Sequence, residues 1–469
     1  MARHNDPINE AQALIVKGDP DSAVRILADF LNTEFFHPNA LFLIGSCLLG
    51  KGLNGFAAAL LSAAVDARAA KDETFPEAMM NLGSCYKSEH RNEVARQIYL
   101  DALKVETLPR ERSKILANVS GLYVNEGQAP TAIDWCDQAL REDPYNAGAK
   151  ANRGMACLEL GRWREGWEGF YATYASGDRS RRVYVPNGHA KPLPEWEGEA
   201  GQTVIVFGDQ GVGDEIYFAN SLPDMIARCK KVILDCHPRL EKTFAKSFPE
   251  VEVHGTRKDL SELEWVPECG AEFAIGLSDL HRFFRNSDKE WCGAPYISAG
   301  GIVINATSRP PNWPPQRIGI SWTGGVKRTR QELRSVRLAA FQPIIESLPG
   351  AQWFSLQYTD NAAREVCEFE EATGLRVAHF PGKVECFDYD ETVNFIASMD
   401  LVITVCTTVH HVAGALGVPC WTLVPKQASW RYSGIGERLP WYDSVRCFRQ
   451  TEDGDWCGPV GRIVEELKK

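Results

Sequence analysis

Small residues return through the first third of the chain at the spacing of paired helices: Ala11, Gly45, Gly83, Ser120 and Gly154, at intervals of 34, 38, 37 and 34 residues. Three positions after each comes a larger or apolar side chain, at Leu14, Leu48, Tyr86, Tyr123 and Cys157. A second small residue recurs at Ala23, Ala57, Ala95 and Ala132, followed by Leu27, Leu61, Tyr99 and Cys136, then by Phe30, Ala64, Ala102 and Ala139. A period of this length restricts the fold severely, because one helical hairpin cannot bury its apolar face alone and must stack on its neighbours. The small residues let the two helices of a hairpin approach, and the larger ones fill the groove against the next hairpin. Asp143-Pro144 closes the fourth pair, since proline cannot continue a helix and restricts the residue before it.

This register, above all NLGSCY at 81–86 with Ala95, Tyr99 and Ala102, resembles the tetratricopeptide repeat (TPR). The resemblance runs over about residues 8–175, with a fifth copy from Asn152 that degenerates after Trp163, and residues 1–176 are assigned to a TPR α-solenoid. A solenoid of this kind implies either a concave groove that presents a protein or peptide, or a spacer.

The remaining length requires more domains, since 469 residues exceed one core. A net charge of −11 argues against an overall grip on nucleic acid or an anionic membrane. The 14 cysteines include no CxxC pair, and several sit inside apolar patterns, which predicts free buried thiols in a reducing compartment. MARHNDPINEAQ has no apolar signal core, and no apolar run is long enough to span a bilayer, so the expectation is a cytoplasmic protein without a membrane span.

Residues 177–199 break the helical period with prolines, glycines and mixed charge and read as a linker. Thr203 to Phe207 then reads as a short buried strand, followed by a glycine loop and a helix from about Glu215. KVILDC (231–236) follows as a second strand, with further apolar runs at 272–277 and 301–305. The stretch SRPPNWPPQ (308–316) marks a boundary, so residues 200–309 and 310–469 are predicted as two Rossmann-like domains. The second has strand patterns at 317–322, 352–357, 376–380, 400–405 and 419–424, with helices near 339–347, 390–398 and 408–416. Gly208, Gly211 and Gly213 in GDQGVGDE lack the GxGxxG spacing of dinucleotide binders, which disfavours hydride transfer. Asp214 sits in the first helical turn, where the helix dipole alone would account for a carboxylate.

GDQGVGDEIYFANSLP, RIGISWTGG, the Arg334-Ser335 step, FSLQ, DLVITVCTTVHHVAGALGVPCWTLV and PWYDSVRCFRQ recur in an order that resembles TPR glycosyltransferases with a heptosyltransferase-like catalytic half. More distantly the chain is similar to O-linked N-acetylglucosamine transferase. The resemblance implies a GT-B fold, with the acceptor on the first lobe and a nucleotide-sugar donor on the second. It also implies metal-independent, inverting transfer with no further cofactor.

By that resemblance Asp214 is the general base, with Gly211 and Gly213 in an acceptor loop. Donor binding falls to Ser321, Trp322, Thr323, Gly324, Lys327 and Arg334, and to Thr407, Thr408 and His411. Thr407 and Thr408 either cap their helix or donate hydroxyls to phosphate. Lys327, Arg328, Arg330, Arg334 and Arg337 set five positive charges against Glu332, enough to offset charge on a leaving diphosphate or to form a solvated basic face. Cys406 stands where the family usually carries Asp. Trp430, Arg431, Trp441 and Tyr442 either line the cleft or belong to the core. Asp388-Tyr389-Asp390 and Asp453-Gly454-Asp455 read as a cap, assigned to Asp390, and a turn, so no metal is expected.

The resulting expectation is transfer of a sugar to a protein hydroxyl selected by the repeats, with surface-appendage proteins such as flagellin as a reasonable acceptor class. The alternatives are transfer to a glycan, a lipid-linked sugar or a modified nucleic-acid base, or a non-catalytic TPR adaptor with a decayed transferase lobe.

Overall fold

The computed structural model describes residues 6–188, 191–259, 263–300, 316–325, 329–384, 387–432 and 436–469. It divides into two compact units, Met1–Ala156 and Cys157–Lys469.

In the first unit, helices Pro7–Val16, Pro20–Leu31, Pro38–Gly50, Asn54–Ala69, Pro76–Ser88, Asn92–Val105, Pro109–Asn125 and Ala129–Glu142 pack as consecutive pairs. Proline opens five of them, at the position where a missing N–H costs nothing. The recurring small residues are required sterically. A Cβ at Gly45 would fall 2.8 Å from Leu61 Cγ, and one at Gly83 would fall 2.8 Å from Tyr99 Cδ1. Ala11, Ala23, Ala57, Ala95 and Ala132 are fully buried, as are Leu27, Leu61, Tyr99 and Cys136. The first unit is therefore a stack of helical hairpins of the TPR kind.

The second unit holds two sheets. The smaller comprises β1 (Thr203–Phe207), β2 (Lys231–Asp235), β3 (Glu252–His254) and β4 (Phe273–Gly276), all parallel, in the order β3-β2-β1-β4. The larger comprises β5 (Arg317–Ser321), β6 (Gln352–Ser355), β7 (Ala378–His379), β8 (Leu401–Val405), β9 (Cys420–Val424), β10 (Arg438–Leu439) and β11 (Tyr442–Arg449). Their order is β10-β11-β9-β8-β5-β6-β7, parallel except for the antiparallel β10–β11 pair. Strands covered on both faces read as continuous β-branched runs, and every residue of β1 and β8 is buried.

Several boundaries differ from the sequence expectation. The helix after β1 starts at Val212 rather than Glu215, because Gly211 already supplies its cap. The helix near 339–347 is a tight 3-10 turn, Leu338–Phe341, running into Gln342–Glu346. β3, β10 and the helix Ala362–Thr373 were not anticipated. The apolar run 301–305 and residues 308–315 of the Pro-rich stretch lie outside the described residues.

The segment read as a linker is packed on the first sheet. Tyr184 donates to Asp235 Oδ2 at 2.6 Å, Glu195 pairs with Ala274 in a parallel bridge, and Trp196 is fully buried. Arg179, also buried, forms ion pairs with Asp209 at 3.1 Å and Asp279 at 2.9 Å. Opposite charges drawn from the segment and from the first sheet's turns pair there inside the fold.

Helix Trp163–Tyr171 likewise belongs to the second unit. Trp167 stacks edge-on against His281 at 4.7 Å and Trp430 at 5.5 Å, and Trp163 against Trp441 at 6.1 Å. The repeat-like sequence to residue 176 therefore overruns the structural border at Cys157.

Candidate functional site

In parallel sheets the ends of the strands and the turns beyond them form the natural crevice. Here β1, β5 and β8 each end in such a turn. After β1 come Gly208 to Gly211 and the helix Val212–Phe218; after β8 come Cys406, Thr407 and the helix Thr408–Leu416; after β5 comes the loop Trp322 to Gly325.

The first two turns meet at Gly213. A Cβ there would fall 3.1 Å from Thr408 Oγ1 and 3.3 Å from His411 Cδ2, so the two helices approach closely at Gly213 and a side chain there would need its neighbours to give by a few tenths of an ångström. Asp214 follows at the third helical position. Its Oδ2 accepts the Gly211 N–H at 3.1 Å, and its Oδ1 lies 2.5 Å from Arg431 Nε. Arg431 also donates to Gln210 Oε1 at 2.6 Å and lies over the Trp430 ring. Gln210 has a φ of 62°, a left-handed conformation in which a non-glycine residue is strained.

Thr407 takes the N-cap position of its helix, but its hydroxyl makes no capping bond. It lies 3.2 Å from Tyr358 OH instead. His411 Nδ1 lies 3.2 Å from Tyr442 OH. Burial, with Arg431 and Arg334 adding to it, holds His411 down at about 3, so it is a neutral imidazole at ordinary pH. His410 faces away, with Nδ1 2.8 Å from Thr422 Oγ1. The Cys406 thiol is pushed up by burial and points at Leu423 O at 3.8 Å, so it is an uncharged group rather than a thiolate.

The β5 loop is held from within. Gln357 Oε1 accepts from Ser321 Oγ at 3.1 Å and from the Trp322 and Thr323 amides at 3.0 Å each. Ser321 is fully buried by this latch. Trp322 is turned into the core around Ile318, Phe341 and Val405, and its indole N–H donates to Glu365 at 2.6 Å. Neither presents its side chain to the crevice, a correction to their assignment as donor contacts. Size explains it, since an indole at a strand end is worth more buried than exposed. Gly324 packs on the Cys406–Thr407 backbone, where a Cβ would fall 2.9 Å from Cys406 O. Gly325, with a φ of 80°, leaves the space that the Arg334 guanidinium occupies. Arg334 bonds Thr329 Oγ1, and its charge reaches Cys406, His411 and Tyr432. Lys327 and Arg328 lie outside the described residues. Burial and the neighbouring Arg334 lower the pKa of Arg330, while Glu159, pushed up to about 7 by burial, opposes them.

The structure therefore brings Asp214, Gly213, Thr408 and His411 to one place, with Thr407, Gly324 and Arg334 beside them. Trp430, Trp441 and Tyr442 are core aromatics. Asp388, not Asp390, caps the helix Tyr389–Ala397, accepting the Asp390 N–H at 3.1 Å, and Asp390 pairs with Lys246 at 2.8 Å. Among the described residues there is no cluster of three metal-ligating side chains, no disulfide, and no helix long and apolar enough to cross a membrane. Gln357, Gln210 and Tyr358 were missed as site-forming residues. Gln357 and Gln210 carried a signal, at the end of FSLQ and within GDQGVGDE; Tyr358 carried none.

No family model matches the chain. Protein FlbA of Caulobacter vibrioides is 26% identical over 383 residues, covering 76% of this chain and 61% of FlbA, so the chain spans about three fifths of that relative's length. A match of that extent exceeds the first unit and so runs into the second. Photosystem I assembly protein Ycf3 of Synechococcus sp. (strain CC9902) is 34% identical over 71 residues, 15% of this chain and 41% of Ycf3. Among solved structures, MamA is 20% identical with a TM-score of 0.30, covering 36% of this chain and 94% of MamA. A thermophilic TPR protein of Thermus thermophilus is 19% identical with a TM-score of 0.31, covering 37% of this chain and 90% of that protein.

Proposed function

We propose that the second unit is a GT-B type glycosyltransferase that moves a sugar from a nucleotide-sugar to an acceptor hydroxyl, with the helical repeats selecting a protein acceptor. The observation that carries this reading is the junction at Gly213. It packs the helix that carries Asp214 against the first turn of the helix Thr408–Leu416, with Asp214 paired to Arg431 and the charges of Arg431 and Arg334 acting on His411. A helix N-terminus offers unpaired N–H groups and a partial positive charge to a phosphate, and arginines add to it. Asp214 supplies the opposite requirement. In inverting transfer the acceptor oxygen attacks the anomeric carbon, its proton passes to the carboxylate, and the sugar–phosphate bond breaks to release the nucleoside diphosphate. His411, held neutral, adds no charge to that balance. The parallel four-stranded sheet and the seven-stranded sheet, parallel but for β10–β11, suit the two lobes of such an enzyme.

The test is transfer and donor binding across a panel of UDP-, GDP- and dTDP-sugars, with flagellin-type appendage subunits among the protein acceptors. Asp214→Asn should lower transfer by roughly 10³-fold, within the range that a positioned base supplies, while donor affinity survives. Near-normal turnover removes Asp214 as the base. A second reading, a non-catalytic adaptor, draws on Cys406, whose buried neutral thiol cannot do the work of the carboxylate usual at that position. It becomes the better one if no nucleotide-sugar in the panel stabilises the protein against heat.

A further inference from the structure

Arg431 is distant from the β1 turn in sequence, yet it binds two residues of that turn at once. Its Nε lies 2.5 Å from Asp214 Oδ1, and its Nη2 donates to Gln210 Oε1 at 2.6 Å. Its backbone is rooted as firmly. It sits in the turn Trp430–Tyr432, and Trp430 is buried among Trp167, Phe170, Tyr217 and Phe218. The guanidinium also lies 4.5 Å from the Trp430 ring centre. A planar fork held at three points is a rigid ruler, which a lysine ammonium cannot imitate.

We propose that Arg431 is a positioning residue that acts through Asp214: it fixes the rotamer of the proposed base and the strained turn that carries it. The inference rests on the glycosyltransferase reading above. Oδ2 accepts the Gly211 N–H, and Oδ1 is held by the Arg431 charge as an ion pair in which Nε is not aligned to donate, so one hydrogen bond and one charge contact restrain the carboxylate. Each oxygen keeps a lone pair, so the group can still take a proton. Gln210 completes the device. It holds a left-handed φ of 62° without being glycine, and its carbonyl oxygen anchors the other end of the guanidinium. The amide of Gln210 is thereby oriented, leaving its buried Nε2 without a hydrogen-bond partner among the described residues. Other groups in this region are the neutral His411, the Arg334 cation, and the Tyr217 and Tyr432 phenols; Glu215, next in sequence, is turned away to Arg257.

The test uses the full chain and follows nucleoside diphosphate release from the sugar-nucleotide panel. Arg431→Gln should lower kcat by about 10²-fold, the loss that a misplacement of about 1 Å brings, with little change in KM for the donor. Arg431→Lys should recover only part, and added guanidinium ion should partly restore Arg431→Gln but not Asp214→Asn. Gln210→Gly relieves the backbone while deleting the anchor, and should still slow turnover. The deciding measurement is the double variant Asp214→Asn with Arg431→Gln, which should be no slower than Asp214→Asn alone. Multiplying losses in that cycle, or an effect confined to KM, overturns the positioning role while leaving the transferase reading intact. Absence of turnover by the unmodified chain with every donor overturns both. Should Arg431→Gln fold poorly by thermal melt, Arg431→Lys and its guanidinium response decide the matter in the same way.

Discussion

Gly414 lies in the helix Thr408–Leu416, and replacing it with alanine sets two effects against each other. Away from tertiary contacts, alanine would favour the helix by about 1 kcal/mol. Within this fold the added methyl would lie inside 3 Å of three ring carbons of Tyr442. That ring cannot retreat. It is fully buried on β11, and its hydroxyl lies 3.2 Å from His411 Nδ1 and 3.3 Å from Tyr296 OH. Forced overpacking costs about 1–3 kcal/mol, and an immobile aromatic neighbour places this case at the upper end. The net expectation is a loss of about 1–2 kcal/mol, seen as a melting temperature lower by about 1.5–3 °C for a unit of this size. Urea unfolding followed by tryptophan fluorescence measures it, and in a double-mutant cycle Gly414→Ala should cost less in the Tyr442→Val background than in the parent. An unchanged or raised midpoint for Gly414→Ala alone would refute the packing argument, since propensity would then have prevailed.

Two further outcomes follow from buried polar groups. His281 is fully buried among Trp167, Tyr217 and Trp291, both its ring nitrogens lack hydrogen-bond partners, and burial holds its pKa well below the ordinary value. Its neutral form is the native one, so its contribution is full above pH 6.5 and declines as pH falls, by about 1.4 kcal/mol per unit; His281→Phe should flatten that acid slope, and parallel slopes for variant and parent would count against it. Gln357→Leu removes the acceptor for three hydrogen bonds, leaves buried donors unmet at a cost of about 1–3 kcal/mol, and should speed amide exchange at Trp322 and Thr323; protected amides in the variant would show that the latch is dispensable.

Legibility from sequence followed the range of the interactions. The hairpins of the first unit are built from contacts within one period, and small residues at Gly45 and Gly83 announce them because only a missing side chain admits Leu61 and Tyr99. The helix Thr408–Leu416 was read to its ends, since β8 before it and Gly417 after it, in a left-handed conformation, mark both boundaries. The catalytic reading of Asp214 depended on resemblance, and its geometry depends on Arg431, which the sequence marked as a cleft or core candidate but could not pair with a residue more than two hundred positions earlier. Ser321 and Trp322 looked available at a strand end until Gln357 and Glu365 claimed them. The segment around Arg179 misled for the same reason: a Pro- and Gly-rich stretch of mixed charge reads as a linker unless the two aspartates that hold Arg179, one of them a hundred residues away, are seen beside it.

The aromatic side chains of Trp163, Trp167 and Phe170 bear on how such a chain can be cut and rejoined. They lie in the degenerate end of the fifth repeat copy, yet Trp167 and Phe170 plug the interior formed by Phe218, His281 and Trp430, and Trp163 packs on Trp291 and Trp441. A splice at residue 176, where the periodicity fades, would deliver an α/β unit with these three aromatics torn out. A seam ahead of Cys157 would carry them along with the unit they serve. Exchange of repeat arrays between chains of this design, in the laboratory or in evolution, therefore has its permitted joint upstream of the point that repeat spelling alone would choose.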